Sequence, residues 1–173
     1  MKLIPLLLLI TYTSFAQFSK TDSLGNFYVI KNKLVWQKYY QLDDIDELDQ
    51  KLKNNGFTAN LDIVNYETST LITDYKISGN GLPQYTQHNY NAFLVIDIFN
   101  DNYRVSIKDI NFPDFEEKRY YNGIKTNTTR GTLEHYNLNG NSIKRTSSTE
   151  NVLYSFDTSF SEIFDTFSYP LKE

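Results

Sequence analysis

The feature that most constrains the fold is the stretch 92–110, AFLVIDIFNDNYRVSIKDI, in which Asp97 stands between Ile96 and Ile98. Apolar and polar residues alternate along much of this stretch, on both sides of a polar centre. Such alternation is typical of antiparallel strands that bury one face and expose the other to water. The stretch therefore predicts a β-hairpin and, with it, a sheet that has one apolar face.

The predicted turn of this hairpin sets its register. With a two-residue turn at 101–102, Ile98 faces Val105 and Asp97 faces Ser106. This register gathers the β-branched apolar side chains on one face and the charged side chains on the other. We therefore predict that Asp97 faces water and is not a buried reaction centre.

The rest of the chain supplies further strands and one short helix. A stripe of Ile45, Leu48 and Leu52 follows helical spacing. The predicted elements are strands at 27–31 and 34–40 joined by Asn32-Lys33, a helix from Asp43 or Asp44 to Gly56, strands at 61–67 and 70–77 joined by Thr68-Ser69, and a peripheral hairpin that turns at Asn139-Gly140 and places Tyr136 opposite Ile143.

A longer helix is predicted near the C-terminus. Ser147 and Glu150 have the spacing of a capping box, and Pro170 bars continuation. Seven large apolar residues fall within one third of the helical circle: Val152, Leu153, Phe156, Phe160, Ile163, Phe164 and Phe167. The alternative is a strand at 151–156 followed by a short helix that begins at Ser159.

These elements define the predicted fold class. Their order is ββ-α-ββ-ββ, a peripheral hairpin, and then α. Two helices with one apolar stripe each and a sheet with one apolar face make a two-layer α+β domain, a curved antiparallel sheet packed on two helices. We expect one such domain at 17–173, with a peripheral polar segment at about 112–149.

The first 16 residues read as a signal peptide. Lys2 provides the positive charge, Leu3 to Ile10 the apolar stretch, and Ser14-Phe15-Ala16 the small-residue site. The apolar stretch is shorter than the roughly 20 residues that span a bilayer, so we expect no stable membrane insertion. The sequence contains no cysteine, which excludes disulfides and a lipoprotein anchor. We expect a periplasmic or secreted protein.

The charge of the chain argues against nucleic acid as a partner. The sequence carries 17 basic and 21 acidic residues, a formal net charge of −4. Loss of Lys2 with the signal peptide would leave the mature chain at −5. Lys and Arg form no stripe that would attract a phosphate backbone.

The combination of these segments resembles a family of uncharacterised secreted bacterial proteins with a fold like that of the TATA-box-binding protein (TBP). The segments that carry the resemblance are the signal ending SFAQ, the helix DIDELDQKLKNNGF, the strands NLDIVNYETSTLITDYKISG and the hairpin AFLVIDIFNDNYRVSIKDINF. Apart from the signal, they lie roughly in residues 27–112. The resemblance implies a TBP-like fold and an exported protein. It implies no reaction, and the DNA binding of the namesake does not transfer to an acidic exported chain.

Little in the sequence favours catalysis or a cofactor. His88 and His135 have no partner at metal-binding spacing, and we expect no metal and no cofactor. Four carboxylates on predicted strands, Asp62, Asp74, Asp97 and Asp109, are the candidates for a hydrolase that acts on an extracellular glycan. Such an enzyme would need two of them to line one concave pocket.

The favoured hypothesis is a non-catalytic binding module. An open sheet face together with tyrosine-rich loops would contact another exported protein or a glycan, because a tyrosine offers an apolar ring with a polar tip. The candidate binding residues are Tyr39, Tyr40, Tyr85, Tyr90, Tyr120 and Tyr121. The carboxylate-dependent hydrolase is the alternative.

The signal peptide prediction is tested on the protein from its native host. We expect N-terminal sequencing to give Gln17 as the first residue, because cleavage should follow Ala16. A native protein that still begins at Met1 would contradict it.

Overall fold

A computed structural model of the chain describes residues 22–57, 67–99, 101–116, 119–121, 124–126 and 130–167. The predicted signal peptide at 1–16 and most of the predicted strand at 61–67 lie outside these residues. The elements in chain order are β1 (Ser23–Leu24), β2 (Phe27–Ile30), β3 (Lys33–Gln41), α1 (Ile45–Asn54), β4 (Glu67–Tyr75), a 3₁₀ turn (Gln84–Gln87), β5 (Tyr90–Phe99), β6 (Asn102–Glu116), β7 (Arg119–Tyr121), β8 (Ile124–Thr126), β9 (Arg130–Thr132), α2 (Leu133–Asn137), β10 (Leu138–Asn139), β11 (Ser142–Ile143) and α3 (Ser147–Phe164).

One antiparallel sheet organises the structure. Its strands lie in the order β1-β2-β3-β6-β5-β4, and β9 pairs with the far end of β6. The helices α1 and α3 pack on one face of this sheet through the main apolar core. The predicted α+β class, an antiparallel sheet packed on two helices, is therefore confirmed.

The hairpin of β5 and β6 follows the predicted alternation with a different register. Phe99 lies opposite Asn102, and Asp97 lies opposite Arg104 and not opposite Ser106. The predicted turn at 101–102 was wrong because Asn102 already belongs to the strand. A shift of two residues leaves the side chains of 93–99 and 102–108 on their predicted faces. Asp97 points away from the helices, as predicted.

A β-bulge at Asp109 reverses the alternation of β6. Before it, Val105 and Ile107 face the core. After it, Ile110 and Phe112 do so. Asp109 has a φ of +54°, in the left-handed region that Asp tolerates better than most residues. The inserted residue keeps apolar side chains in the core, so β6 continues to Glu116 where the sequence predicted the start of a polar segment.

The helix α3 covers the centre of the sheet. Thr146 is its N-cap and accepts a hydrogen bond from the backbone N–H of Thr149 at 3.2 Å, one residue before the predicted cap. Six of the seven predicted apolar residues are buried, and Ile163 is partly buried. The alternative strand at 151–156 is therefore wrong.

Aromatic rings and one carboxylate join α3 to the sheet. Phe160 lies 5.4 Å from the ring of Trp36, and Phe156 lies 5.1 Å from that of Tyr90, both edge to face. Asp157 accepts hydrogen bonds from Trp36 Nε1 at 2.7 Å and from Asn26 Nδ2 at 2.8 Å. These contacts fix both the height and the rotation of α3 on the sheet.

A close approach of the chain beside Asp157 requires glycine. Gly25, in the turn between β1 and β2, has a φ of +56°, and a Cβ added there would collide with the Asp157 carboxylate. This absence of a side chain lets Asn26 reach the helix. The β1–β2 turn is thereby tied to α3.

The helix α1 matches its prediction. Asp44 is the N-cap and accepts from the backbone N–H of Asp46 at 2.8 Å, and Gly56 has a φ of +82° after the helix end. Leu48 and Leu52 are buried. The short helix therefore completes the second layer beside α3.

Four local predictions were wrong. The β2–β3 turn is formed by Lys31 and Asn32, both with positive φ, where Asn32-Lys33 was predicted. Thr68 and Ser69 belong to β4 and do not form a connection. Residues 133–137 are helical because Thr132 caps a turn there. The hairpin turns at Gly140-Asn141 and not at Asn139-Gly140, so Leu138, and not Tyr136, lies opposite Ile143.

Within the described residues, no helix is both long enough and apolar enough to cross a membrane.

The two faces of the sheet should differ in their importance for stability. We expect Phe160→Ala to lower the free energy of unfolding by about 3–5 kcal/mol, because a fully packed core ring is lost. The matched variant Phe93→Ala, on the other face, should cost less than about 1 kcal/mol. Urea unfolding followed by the fluorescence of Trp36, the single tryptophan, measures both. Equal costs would contradict this.

Candidate functional site

The six candidate tyrosines do not form one surface. Tyr40, Tyr85 and Tyr90 are at most 6% exposed and belong to the core. Tyr39 is 42% exposed and lies on the sheet face away from the helices. The side chains of Tyr120 and Tyr121 lie outside the described part. The predicted exposure of Tyr40, Tyr85 and Tyr90 was therefore wrong. A binding role for Tyr39 stays a prediction.

The buried tyrosines carry structural hydrogen bonds. Tyr40 donates its hydroxyl to Asp165 Oδ1 at 2.9 Å, and Lys38 Nζ lies 2.8 Å from the same carboxylate. Tyr85 accepts a hydrogen bond from Asn137 Nδ2 at 3.1 Å. Burial raises the pKa of Tyr85 to about 12, and burial also raises the pKa of Tyr40 and of Tyr90.

The sheet face away from the helices, which we call the open face, carries most of the exposed apolar side chains. The described residues include six large hydrophobic side chains that are classed as exposed, and five of them lie on this face. The five are Leu71 (54%), Phe99 (46%), Phe93 (45%), Tyr39 (42%) and Ile30 (38%). A sheet face left to water normally carries polar residues, so this concentration marks a candidate site.

One part of the open face is aliphatic and aromatic. Leu71 on β4 lies directly opposite Phe93 on β5. Val95 and Val35 on the same face are each only 7% exposed although they lie outside the main core. The two valines are nearly buried, whereas the larger side chains on this face are exposed to water.

A second part is built around Arg104. Its Nη2 and Nε lie 2.7 and 3.0 Å from one oxygen of Asp97. Its guanidinium lies 5.6 Å from the ring centre of Phe99 and 6.0 Å from that of Tyr39. Burial opposes the charge, but the hydrogen bonds to Asp97 and Tyr39 outweigh it, and the pKa of Arg104 is raised. The guanidinium is thereby held rigidly between two exposed rings.

Of the four candidate carboxylates, the two whose side chains the structure describes are each paired with a cation. Asp97 is paired with Arg104, and Asp109 is paired with Lys33 at 2.8 Å. Asp62 and the side chain of Asp74 lie outside the described residues.

The two histidines lie on different elements. His88 follows the 3₁₀ turn, 5.3 Å from the ring of Phe115, and His135 lies exposed on α2 and not on the predicted strand. Among the described residues, no three histidine or carboxylate side chains converge to hold a metal ion.

A polar cleft lies on the other side of the molecule, between α3 and the segment that follows β4. Its volume is about 410 Å³. It is lined by Lys76, Ser78, Asn80, Asn151, Tyr154, Ser155, Thr158, Ser159 and Glu162. Tyr154, 50% exposed, is the sixth of the exposed large hydrophobic side chains.

Sequence reasoning missed Leu71, Phe93 and Phe99 as surface residues. A usable signal was present in β5, because AFLVIDIF is apolar in both phases of the alternation except at Asp97. A strand apolar in both phases is buried on both faces or presents an apolar surface. The positions of α1 and α3 on one face of the sheet decide between these outcomes.

Comparison with known proteins identifies the fold only. No protein-family model and no curated protein sequence matches the chain. Among solved structures, a DUF4468 family protein from Bacteroides ovatus has a TM-score of 0.50 at 15% identity, over 82% of this chain and 87% of that one. A TBP-like protein from Parabacteroides distasonis has a TM-score of 0.49 at 10% identity, over 82% and 97%. At 15% identity, the likeness to the DUF4468 family protein concerns the fold and not the function.

The buried tyrosines predict a loss of stability at alkaline pH. Their pKa values are raised in the folded state, so the stability they contribute is complete below about pH 10, the pKa of an unfolded tyrosine. It is lost as the pH rises toward about 12, the folded pKa of Tyr85. We expect Tyr85→Phe to flatten this decline in urea unfolding between these pH values.

Ultraviolet titration provides the complementary measurement. The buried Tyr40, Tyr85 and Tyr90 should ionise together with unfolding. Ionisation of all tyrosines near pH 10 in a folded protein would refute the burial of these hydroxyls.

Proposed function

We propose that this chain is an exported, non-catalytic binding protein that docks another exported protein on its open face. One observation carries the proposal: five of the six exposed large hydrophobic side chains of the described residues share that face. Their burial against a partner would remove apolar surface from water, at about 25 cal/mol per Å².

The chemistry of the face favours a protein over a glycan. Leu71, Ile30 and Phe93 offer aliphatic and aromatic surface without hydrogen-bonding groups, whereas sugar hydroxyls need polar partners. Aromatic residues and arginine are the residue types enriched at protein interfaces. The open face combines both around Arg104.

The Arg104 cluster would provide specificity. Asp97 and the rings of Phe99 and Tyr39 hold the guanidinium in place before any partner arrives, so little side-chain entropy remains to be lost. A partner would have to match this position with an acceptor or an aromatic ring. The apolar part around Phe93 would supply most of the affinity.

The predicted signal peptide supports binding outside the cytoplasm. The signal-like residues 1–16 and the absence of cysteine fit a periplasmic or secreted protein that is stable without disulfides. An exported partner would meet the open face only after both chains have been translocated.

Photo-crosslinking in the native host tests the proposal. A photoreactive amino acid at Phe93 should give an adduct with one other exported protein, and the same group at the exposed Asp46 on α1 should not. The captured protein is then purified and titrated. We expect Phe93→Ser to weaken its binding at least about tenfold, or about 1.4 kcal/mol, while Asp46→Ser leaves it unchanged.

Several results would overturn the proposal. The crosslinking results are equal adducts from both positions, no adduct at Phe93, or an adduct only with a second copy of this chain. In the titration, the contradicting result is that Phe93→Ser does not change the affinity for the captured protein. Binding of a glycan that Phe93→Ser abolishes would replace the protein partner by a carbohydrate. Unfolding curves of both variants serve as the control for folding.

A further inference from the structure

The polar cleft beside α3 has two walls of different origin. The helix contributes residues on its outer side, at 151, 155, 158 and 162, spaced as one stripe. The segment after β4 contributes Lys76, Ser78 and Asn80, while Ile77 between them is buried in the core. Alternation therefore turns three polar side chains of this segment toward the helix.

A close backbone approach joins the two walls. A Cβ added to Gly79 would lie 3.2 Å from Ser155 Oγ and 3.0 Å from Leu82 Cδ1. A larger residue at position 79 would require Ser155 or Leu82 to shift, or the segment 76–80 to move away from α3. The absence of a side chain at Gly79 thus keeps the cleft narrow at this end.

The polar side chains that line the cleft make no hydrogen bond or ion pair with the other described residues. In the part of the chain that the structure describes, none of the nine lining side chains makes a hydrogen bond through its polar atoms, and Lys76 and Glu162 form no ion pair. By contrast, the carboxylates of Asp157 on α3 and of Asp165 just after it accept hydrogen bonds from side chains of β3, and that of Asp157 also accepts one from Asn26 in the β1–β2 turn. The cleft therefore offers donors and acceptors that the fold itself does not need.

Tyr154 adds an apolar surface to this polar lining. Its ring is 50% exposed, and it is the one exposed large hydrophobic side chain of the described residues that lies off the open face. A half-exposed ring beside amides and hydroxyls presents a flat face for stacking and polar groups around it.

We infer that this cleft is a binding site for a short neutral saccharide. A sugar ring has an apolar C–H face that stacks on an aromatic ring, and its hydroxyls both donate and accept hydrogen bonds. The amides of Asn80 and Asn151 can both donate hydrogen bonds to these hydroxyls and accept hydrogen bonds from them. The hydroxyls of Ser155 and Thr158 can do the same. The volume of about 410 Å³ falls in the range of about 300–1,000 Å³ that small-ligand pockets occupy.

Other ligand classes fit the cleft less well. An anion would meet a single cation, Lys76, together with the carboxylate of Glu162, on a chain of net charge −4. An apolar ligand would find one aromatic ring and would leave many polar groups unpaired. The site is distinct from the open face and does not depend on the function proposed for it.

Ligand titration with matched tyrosine variants tests this inference. The purified protein is titrated with cellotriose, maltotriose and chitotriose, and with sialyllactose as the acidic comparison, by saturation-transfer NMR and calorimetry. We expect at least one neutral trisaccharide to bind, and Tyr154→Ala to weaken it about tenfold, or about 1.4 kcal/mol. Tyr154→Phe should keep most of the affinity because the ring remains.

Tyr39→Ala is the matched control, since it removes an equally exposed tyrosine from the open face. It should change the affinity less than about twofold. If Tyr154→Ala does not fold, Asn80→Ala takes its place, because this exposed side chain makes no contact that the fold needs. Three results would overturn the site. The first is that no neutral trisaccharide binds saturably at millimolar concentration, and the second is that only sialyllactose binds. The third is that Tyr39→Ala weakens binding as much as Tyr154→Ala or more.

Discussion

The packing of α3 on one face of the sheet is the interaction on which the rest of the structure depends. Phe156, Phe160 and Phe164 form a continuous aromatic layer with Trp36 and Tyr90. Dispersion and the removal of apolar surface from water act along the whole helix. Asp157 then fixes the rotation of α3, because its carboxylate accepts hydrogen bonds from Trp36 on β3 and from Asn26 in the β1–β2 turn and would be costly to bury without them.

This packing is one-sided, and the functional proposals follow from that. Both helices lie on the same face, so the opposite face has no layer of its own among the described residues, yet it carries Leu71, Phe93 and Phe99. A chain that needed only stability would place polar residues there. The outer side of α3 is polar in turn, and the cleft beside it holds hydrogen-bonding groups that contribute nothing to the core.

Periodicity predicted the elements better than their pairing. The stripe of α3 and the cap at Asp44 are local patterns, and both were predicted from the sequence. The register of β5 and β6 was not, because the polar run at 100–102 contains two possible turn pairs, 100–101 and 101–102, and moving the turn by one residue shifts the register by two. The bulge at Asp109 was not predicted either, because it depends on tertiary packing. It turns Ile110 and Phe112 toward the core after the apolar alternation of the sequence changes phase.

The tyrosines show why the candidate site was only partly predictable. Tyr39 and Tyr40 are neighbours on one strand, so alternation alone places them on opposite faces. A tyrosine suits a surface or a core equally well, provided that its hydroxyl finds a partner, as that of Tyr40 does in Asp165. Residue type therefore did not identify the site, and the placement of both helices on one face did.

The central claim is that one sheet face is covered and the other is free, and hydroxyl-radical footprinting of the folded protein tests it most directly. The account predicts rapid oxidation of Phe93 and Phe99 and protection of Phe156, Phe160 and Phe164 until the protein unfolds. Protection of Phe93 and Phe99 equal to that of Phe160 in the isolated monomer would contradict it, because another part of the chain would then cover the open face.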